Sequence, residues 1–331
     1  MKLVMTLLAR NEEDILDAHL AFHLNAGVDF VIAIDNGSDD GTTEILESYA
    51  RDGHVELTRD DGELDQAEWV TGLARRAATD FGADWVINSD ADEFYWPRGG
   101  TLKDVLSAVP AQYGGERGML RNFAPRPDGG DFFAERMTVR VCNPGAEDNS
   151  PYSPRFKAMH RGDPDVEVFW GSNRAISRGL DPLSGWYPID VLHFPIRSLE
   201  QCRDKFLRWY AIAPSRFRTA AYDADQRGAM REFYESYVVD DEALGRGLAD
   251  GTLAIDTRLR DALRSLRAEP SRPLAFSDDA VDAAYLTELA ILEDGDPHAH
   301  VQRKTEDLEA RLAVMERSRA GRLLSAVTFR K

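Results

Sequence analysis

Apolar and polar positions alternate in blocks through the first hundred residues. Residues 3–9 form a continuous apolar run, the pattern of a strand buried on both faces. Residues 11–26 carry Ile15, Leu16, Leu20 and Leu24 at helical spacing, and Gly27 follows as a stop. A second apolar run over 30–34 halts at the turn-rich 35–41, after which Thr42 or Thr43 caps a helix reaching about Arg51. Residues 54–58 read as a third strand, 64–81 as a helix and 85–88 as a fourth strand. This strand–helix alternation predicts a mainly parallel sheet with helices on both faces.

Beyond Pro97 the texture changes. Gly- and Pro-rich stretches (114–115, 125–130, 143–154) separate short strands near 137–141, 156–160 and 166–170. A further strand over 191–194 precedes a helix over 199–213. This half is expected to complete a mixed sheet and to frame a second binding site. From about Phe233 the pattern is helical and charged, without an internal repeat. Residues 298–329 read as a long final helix in which Val301, Leu308, Leu312 and Met315 recur too briefly for a coiled coil.

Composition narrows the partners. The 331 residues carry a formal net charge of -18, a field that repels nucleic acid. A phosphorylated ligand therefore needs a local cluster of cations. Cys142 and Cys202 lie far apart and in no metal-ligand spacing, which suits a reducing, cytoplasmic setting. The opening apolar run is too short for a membrane span and lacks a small-residue cleavage site, so it reads as the first strand.

The densest chemistry lies in the segment Asp84-Trp85-Val86-Ile87-Asn88-Ser89-Asp90-Ala91-Asp92-Glu93-Phe94. A buried strand there runs directly into closely spaced carboxylates, at the strand end where open parallel sheets bind ligands. Such carboxylates repel unless a cation sits between them, and a hard divalent ion such as Mn2+ or Mg2+, shared with a diphosphate, meets that need. By itself Asp-x-Asp fits an acidic turn equally well. Two other strands end nearby in polar residues, Ala9-Arg10-Asn11-Glu12 and Asp35 to Gly41. Asp35 is placed to accept from a base, and Arg10 or Asn11 to contact base or phosphate, whereas Asp39 to Thr42 reads as a plain turn and helix cap.

Leu8-Ala9-Arg10-Asn11-Glu12, Ile34 to Thr42 and Asp90-Ala91-Asp92, in that order, resemble family 2 glycosyltransferases. With His23 before Gly27-Val28, Asp84-Trp85, Asp92-Glu93-Phe94 and a later His193-Phe194, the chain resembles the branch near family 92. The resemblance covers roughly residues 3–210. It implies a GT-A type, Rossmann-like mixed α/β sheet flanked by helices, a nucleotide-diphosphate sugar donor and a divalent metal. It places Ala9, Arg10, Asn11 and Asp35 around base and ribose, Asp90 at ribose or metal, and Asp92 on the metal. The expected organisation is a GT-A domain over 1–230, divided into a nucleotide-binding half 1–96 and an acceptor half 97–230, then a helical C-terminal extension 231–297 and an amphipathic helix 298–331.

His193 ends an expected strand, and a neutral imidazole can complete a shell of carboxylate, phosphate and water. Arg197 and Lys205 supply cations for a diphosphate. Gln66 opens the third helix and is placed to reach the nucleotide. His19 and His23 have a zinc-like spacing but no third ligand, so they read as core. Arg155, Lys157 and Arg161 form either a basic patch or a solvated face. Transfer with inversion requires a carboxylate base; Asp181 is preferred over Asp148, Glu167 and Asp190.

Rival readings fall on specific residues. A dinucleotide oxidoreductase needs a Gly-rich turn where this chain has Arg10-Asn11-Glu12-Glu13. Haloacid-dehalogenase phosphatases resemble Asp-x-Asp-x-Thr or Val near the N-terminus, whereas Phe94 stands at the fifth position here. A metal-dependent phosphohydrolase or a degenerate sugar-nucleotide binder remain the alternatives. The segment 311–331 carries six basic residues and one acidic, net +5, with Leu323, Leu324, Val327 and Phe329. It suits an anionic membrane surface bearing a lipid-linked acceptor, or the acidic face of the same chain or of a partner subunit in an oligomer.

Overall fold

The computed structural model describes residues 1–62, 66–142, 152, 155–177, 181–212, 226–270 and 272–276, all within one compact unit, Met1–Ala284. The helix expected over 298–331 and most of 271–297 lie outside the described residues.

The first half follows the expected alternation: β1 (Leu3–Ala9), α1 (Leu16–Asn25), β2 (Phe30–Asp35), α2 (Thr42–Arg51), β3 (Val55–Arg59), α3 (Gln66–Thr79) and β4 (Trp85–Asp90). β1 pairs in parallel with β2 on one side and with β4 on the other. Its side chains pack toward α1 on one face and α3 on the other, and its one hydroxyl, on Thr6, donates to Asn88 Oδ1 across the β1–β4 pair at 2.8 Å. Gly27 takes φ +110°, a conformation open to glycine that turns the chain from α1 into β2. α1 starts five residues later than the pattern predicts. Asn11 holds φ +52°, in the left-handed region that interrupts a helix, and Glu12 to Ile15 form a turn closed by the Ile15 N–H on the Glu12 carbonyl.

The second half contributes β5 (Glu93–Pro97), α4 (Leu102–Ala108), β6 (Gly115–Ala124), α5 (Phe133–Arg136), β7 (Val139–Val141), β8 (Phe156–Arg161), β9 (Glu167–Val168), β10 (Ala175–Ile176) and β11 (Ile189–His193). α6 (Leu199–Ile212), α7 (Gln226–Tyr237), α8 (Asp241–Asp250), β12 (Leu253–Ile255) and α9 (Arg258–Ala268) follow. The main sheet runs β12-β7-β6-β8-β4-β1-β2-β3, with β11 beside β6 and β5 beside β11; β9 and β10 form a separate hairpin. β8 is antiparallel to both β4 and β6, and β11 is parallel to β6. β3 is parallel to β2, so β1, β2, β3, β4, β6 and β11 point the same way and end at one edge. One core packs Leu3, Met5, Leu7 and Ile87 with Leu16, Leu20 and Phe22 of α1 and Leu259 and Leu263 of α9. A second packs Val4, Ile32 and Val86 with Val70, Leu73 and Ala77 of α3.

Candidate functional site

The loops after β1, β2 and β3 are laced together at the shared edge. The Asn11 amide donates to Asp39 Oδ1 at 2.6 Å and to Asp204 Oδ2 at 2.8 Å, while its oxygen accepts the Asp39 N–H at 3.0 Å. The Ala9 carbonyl accepts the Asn36 N–H. The exposed Arg10 reaches Asn36 Oδ1 at 3.5 Å, and Asn36 Nδ2 donates to the carbonyls of Asp60 and Gly62. Asp35 is buried and accepts from Ser38 N, Ser38 Oγ and Thr43 Oγ1 at 3.0, 2.6 and 2.5 Å. Burial pushes its carboxyl up, but these bonds and Arg59 outweigh it and hold the group below its ordinary range. Gly41 stands at the cap of α2, with the Thr42 N–H donating to Asp40 Oδ1 at 2.9 Å. Asp39 to Thr42 are thus a turn and helix start, but the cap is Gly41, without a side-chain cap bond, where Thr42 or Thr43 was expected. Ala9, Arg10, Asn11, Asp35 and Gln66 all sit on this edge, and Gln66 Nε2 lies 3.4 Å from Asp90 Oδ1.

Asp90 ends β4, two residues make the turn, and Glu93 begins β5. Because β5 pairs with β11, Glu93 and His193 are register partners. Asp92, next to Glu93 and 2% exposed, accepts Lys205 Nζ at 2.5 Å and lies 3.8 Å from His193 Nε2 through its other oxygen. Its backbone oxygen accepts the Phe194 N–H at 2.9 Å. Burial raises the Asp92 pKa, yet Lys205 and Arg197 outweigh it and keep the carboxylate ionised. Burial drives His193 down to about 3, against the pull of Asp92 and with Lys205 and Lys157 assisting. The imidazole is therefore neutral near pH 7, with a lone pair to give.

Asp92, Glu93 and His193 bring one ligand atom each within 4.8 Å of one another. Hard oxygen donors with one imidazole suit Mn2+ or Mg2+, and the 3.8 Å between Asp92 Oδ1 and His193 Nε2 fits two ligand atoms each about 2.1 Å from a shared ion. Asp90 was expected in this group and is not part of it: its carboxylate lies 3.1 Å from Lys157 Nζ and beside Gln66. Lys157, buried on β8, also pairs with Glu93 at 2.5 Å and donates to the Gly171 carbonyl at 2.6 Å. Burial raises Glu93 to about 8, opposed by Lys157 and reinforced by Asp90 and Asp92.

Two expected site residues need correction. Arg197 is completely buried. Its guanidinium bonds Asp14 through Nε and Nη2 at 2.7 and 2.8 Å, Glu12 through Nη2, and the Phe194 carbonyl through Nη1 at 3.2 Å. It ties the loop after β1 to the segment after β11 and faces carboxylates where a phosphate contact was expected. Asp181 is exposed at the opposite edge of the sheet, where its carbonyl accepts the Gly114 N–H and Pro182 bridges Gly115. Gly115 starts β6 and Asn122, beside His193, is near its end. Seven residues of strand put Asp181 roughly 20 Å from the Asp92–His193 pair, too far to act as its base. Of the other acids considered, Asp190 is clamped by Arg98, Arg121 and Arg258, Glu167 is exposed on β9, and Asp148 lies outside the described residues. Arg155, Lys157 and Arg161 do not form a patch: Lys157 belongs to the site, while Arg161 donates to the Tyr113 and Val109 carbonyls at the far edge.

Sequence reasoning missed Glu93 and Asn122 and left Lys157 undecided. Lys157 stands two residues from Arg155 and four from Arg161, so strand alternation puts all three on one nominal face, and only the carboxylates of the β4–β5 turn select it. His23 is core as read: its Nδ1 donates to the His19 carbonyl and its Nε2 accepts the Tyr95 N–H.

The sequence profile described as Glycosyl transferase family 2 matches residues 7–181, just over half of the chain. Among solved structures, S. aureus TarS 1-349 in complex with UDP-GlcNAc aligns at 13% identity over 82% of this chain and 88% of that one, with a TM-score of 0.34. Glucosyl-3-phosphoglycerate synthase from Mycobacterium tuberculosis, in complex with Mn2+, uridine-diphosphate and glucosyl-3-phosphoglycerate, aligns at 15% identity over 37% and 43% of the two chains, with a TM-score of 0.25. No curated protein matches. The mixed sheet with flanking helices is of the GT-A class.

Proposed function

This chain belongs to glycosyl transferase family 2, and on that premise we propose that it moves a hexosyl group from a nucleoside-diphosphate sugar to an acceptor hydroxyl with a Mn2+ or Mg2+ ion held by Asp92 and His193. The observation that carries the reading is the approach of these two side chains to 3.8 Å, from segments a hundred residues apart, at the edge where β1, β2 and β4 end. Ligands of open α/β sheets bind at that edge.

When bound, the ion would neutralise charge building on the departing diphosphate. The chain's own residues do the rest. Ala9, Arg10, Asn11, Asp35 and Gln66 line the crevice for base and ribose, with Asp90 at its floor. Lys205, 45% exposed at the lip, exchanges its bond with Asp92 for one with a phosphate oxygen. Lys157 neutralises Asp90 and bonds Glu93, so that the turn is not self-repelling when the donor arrives. Residues 1–96 serve as the donor half and 97–230 as the acceptor half, and the displacement inverts the anomeric carbon. The His193-Phe194 pair supports a reading of the chain as near the family 92 branch. The acceptor is a glycan or a lipid-linked intermediate, and the basic segment 311–331 brings the enzyme to an anionic membrane surface. No helix among the described residues is long and apolar enough to cross a membrane.

The test is a thermal-shift panel of nucleoside diphosphates and their sugars, with and without Mn2+, on the wild type and Asp92→Ala. A ligand selective for the folded state raises Tm by mass action, by about 2.7 kcal/mol of stabilisation at a hundred times Kd. A Mn2+-dependent rise for one nucleotide, absent in Asp92→Ala, is expected. No rise with any nucleotide at millimolar concentration would sink the donor reading.

A further inference from the structure

Asn122 and His193 are register partners on the parallel strands β6 and β11, and Asn122 Oδ1 lies 2.7 Å from His193 Nδ1. The amide is oriented from its far side. Its Nδ2 lies 2.9 Å from the backbone carbonyl oxygen of Tyr152. A carbonyl oxygen only accepts hydrogen bonds, so the amide must turn its NH2 toward Tyr152 and its oxygen toward His193. The amide oxygen in turn only accepts, so the imidazole must carry its proton on Nδ1. In the neutral imidazole Nε2 is then the bare lone pair, and it faces Asp92 Oδ1 at 3.8 Å.

We propose that Asn122 is a positioning residue that locks His193 in the Nδ1–H tautomer and thereby presents Nε2 as a ligand to the cation shared with Asp92. This rests on the reading of Asp92 and His193 as a metal pair. Two neighbours, the Tyr152 carbonyl and His193 Nδ1, fix the choice of asparagine. A carboxylate at 122 would orient the imidazole, but it would set negative charge against the Tyr152 carbonyl and lose that bond. An apolar residue would leave both the Tyr152 oxygen and His193 Nδ1 without this partner in a buried place. An amide alone among these donates in one direction and accepts in the other. Partners of this kind typically govern 10- to 100-fold in metal affinity, because a rotated or wrongly protonated imidazole offers the metal an N–H instead of a lone pair.

The full-length protein, labelled with 15N at histidine and free of metal, gives the tautomer directly from long-range nitrogen–proton NMR spectra, with His193→Gln to assign the signal. The wild type is expected to show His193 protonated on Nδ1, and Asn122→Leu to move population toward Nε2–H. Mn2+ titration followed by electron paramagnetic resonance should then show at least a ten-fold weaker Kd in Asn122→Leu, with circular dichroism confirming that the variant is folded. A wild-type His193 protonated on Nε2 overturns the proposal without reference to metal, and so does a folded Asn122→Leu with unchanged Mn2+ affinity. Absence of Mn2+ binding in the wild type overturns the metal pair and the ligand role together, while the two NMR spectra still decide whether the lock exists.

Discussion

Glu116 is a carboxyl group with nowhere to put its charge. It lies on β6 with no exposure, and no well-formed hydrogen bond reaches either side-chain oxygen among the described residues. Burial raises its pKa to about 8, against the Arg117 backbone N–H and charge. In the unfolded chain the group titrates near 4.5, so between these values the folded state holds a proton that the unfolded state has lost. Stability linked to Glu116 is therefore fully present below about pH 4.5 and falls as pH rises toward 8. The loss by pH 7.5 is on the order of 2–4 kcal/mol. Glu116→Gln keeps the shape and removes the titration. Melting curves across pH 5 to 8.5 should coincide for variant and wild type at the acid end and diverge by several degrees, in favour of the variant, at the alkaline end. Parallel curves would mean that the carboxyl is solvated or neutralised.

The elements show which parts of the molecule were legible in the chain. β1, β2, β4 and the acidic turn could be read because continuous apolar runs end abruptly in polar residues, and strands buried on both faces leave that trace. β6 could not. Its ten residues are all buried, yet Glu116, Arg117, Arg121 and Asn122 give it the look of a loop, since burial there depends on distant partners such as Asp190 for Arg121. Asn122 was hidden with it, and with Asn122 the partner of His193. Arg197 misled for the related reason that an arginine beside a candidate ligand suggests a phosphate contact until its carboxylates are seen. As the buried link between the loop after β1 and the segment leading to α6, it makes a structural prediction. Arg197→Met leaves Glu12 and Asp14 without their cation, and breaking a buried pair from one side costs about 3–5 kcal/mol. Tm should drop by roughly 10 °C or more. An unchanged Tm with impaired nucleotide binding would return Arg197 to the diphosphate.

The whole molecule is divided in charge. The segment 311–331 is net +5 in a chain of net -18, which leaves the preceding 310 residues at net -23. An anionic bilayer repels the body and attracts the segment, and the two effects differ in reach. Repulsion of exposed charge is screened within about 8 Å at physiological ionic strength. A segment lying at the surface gains about 1 kcal/mol per basic residue, with Leu323, Leu324, Val327 and Phe329 adding apolar contact. The full chain should therefore float with vesicles containing phosphatidylserine and remain behind with purely zwitterionic ones. Removal of residues 311–331 should abolish flotation while leaving the Mn2+-dependent nucleotide shift intact, because the candidate site is built wholly from residues before 206. Raising salt to 0.5 M should release the full chain in large part, since electrostatics supplies most of the attraction. Flotation that survives the truncation would locate the membrane contact elsewhere. A full chain that never floats, together with a lower Tm after truncation, would instead place the basic segment against the acidic body, where the same charge difference draws it.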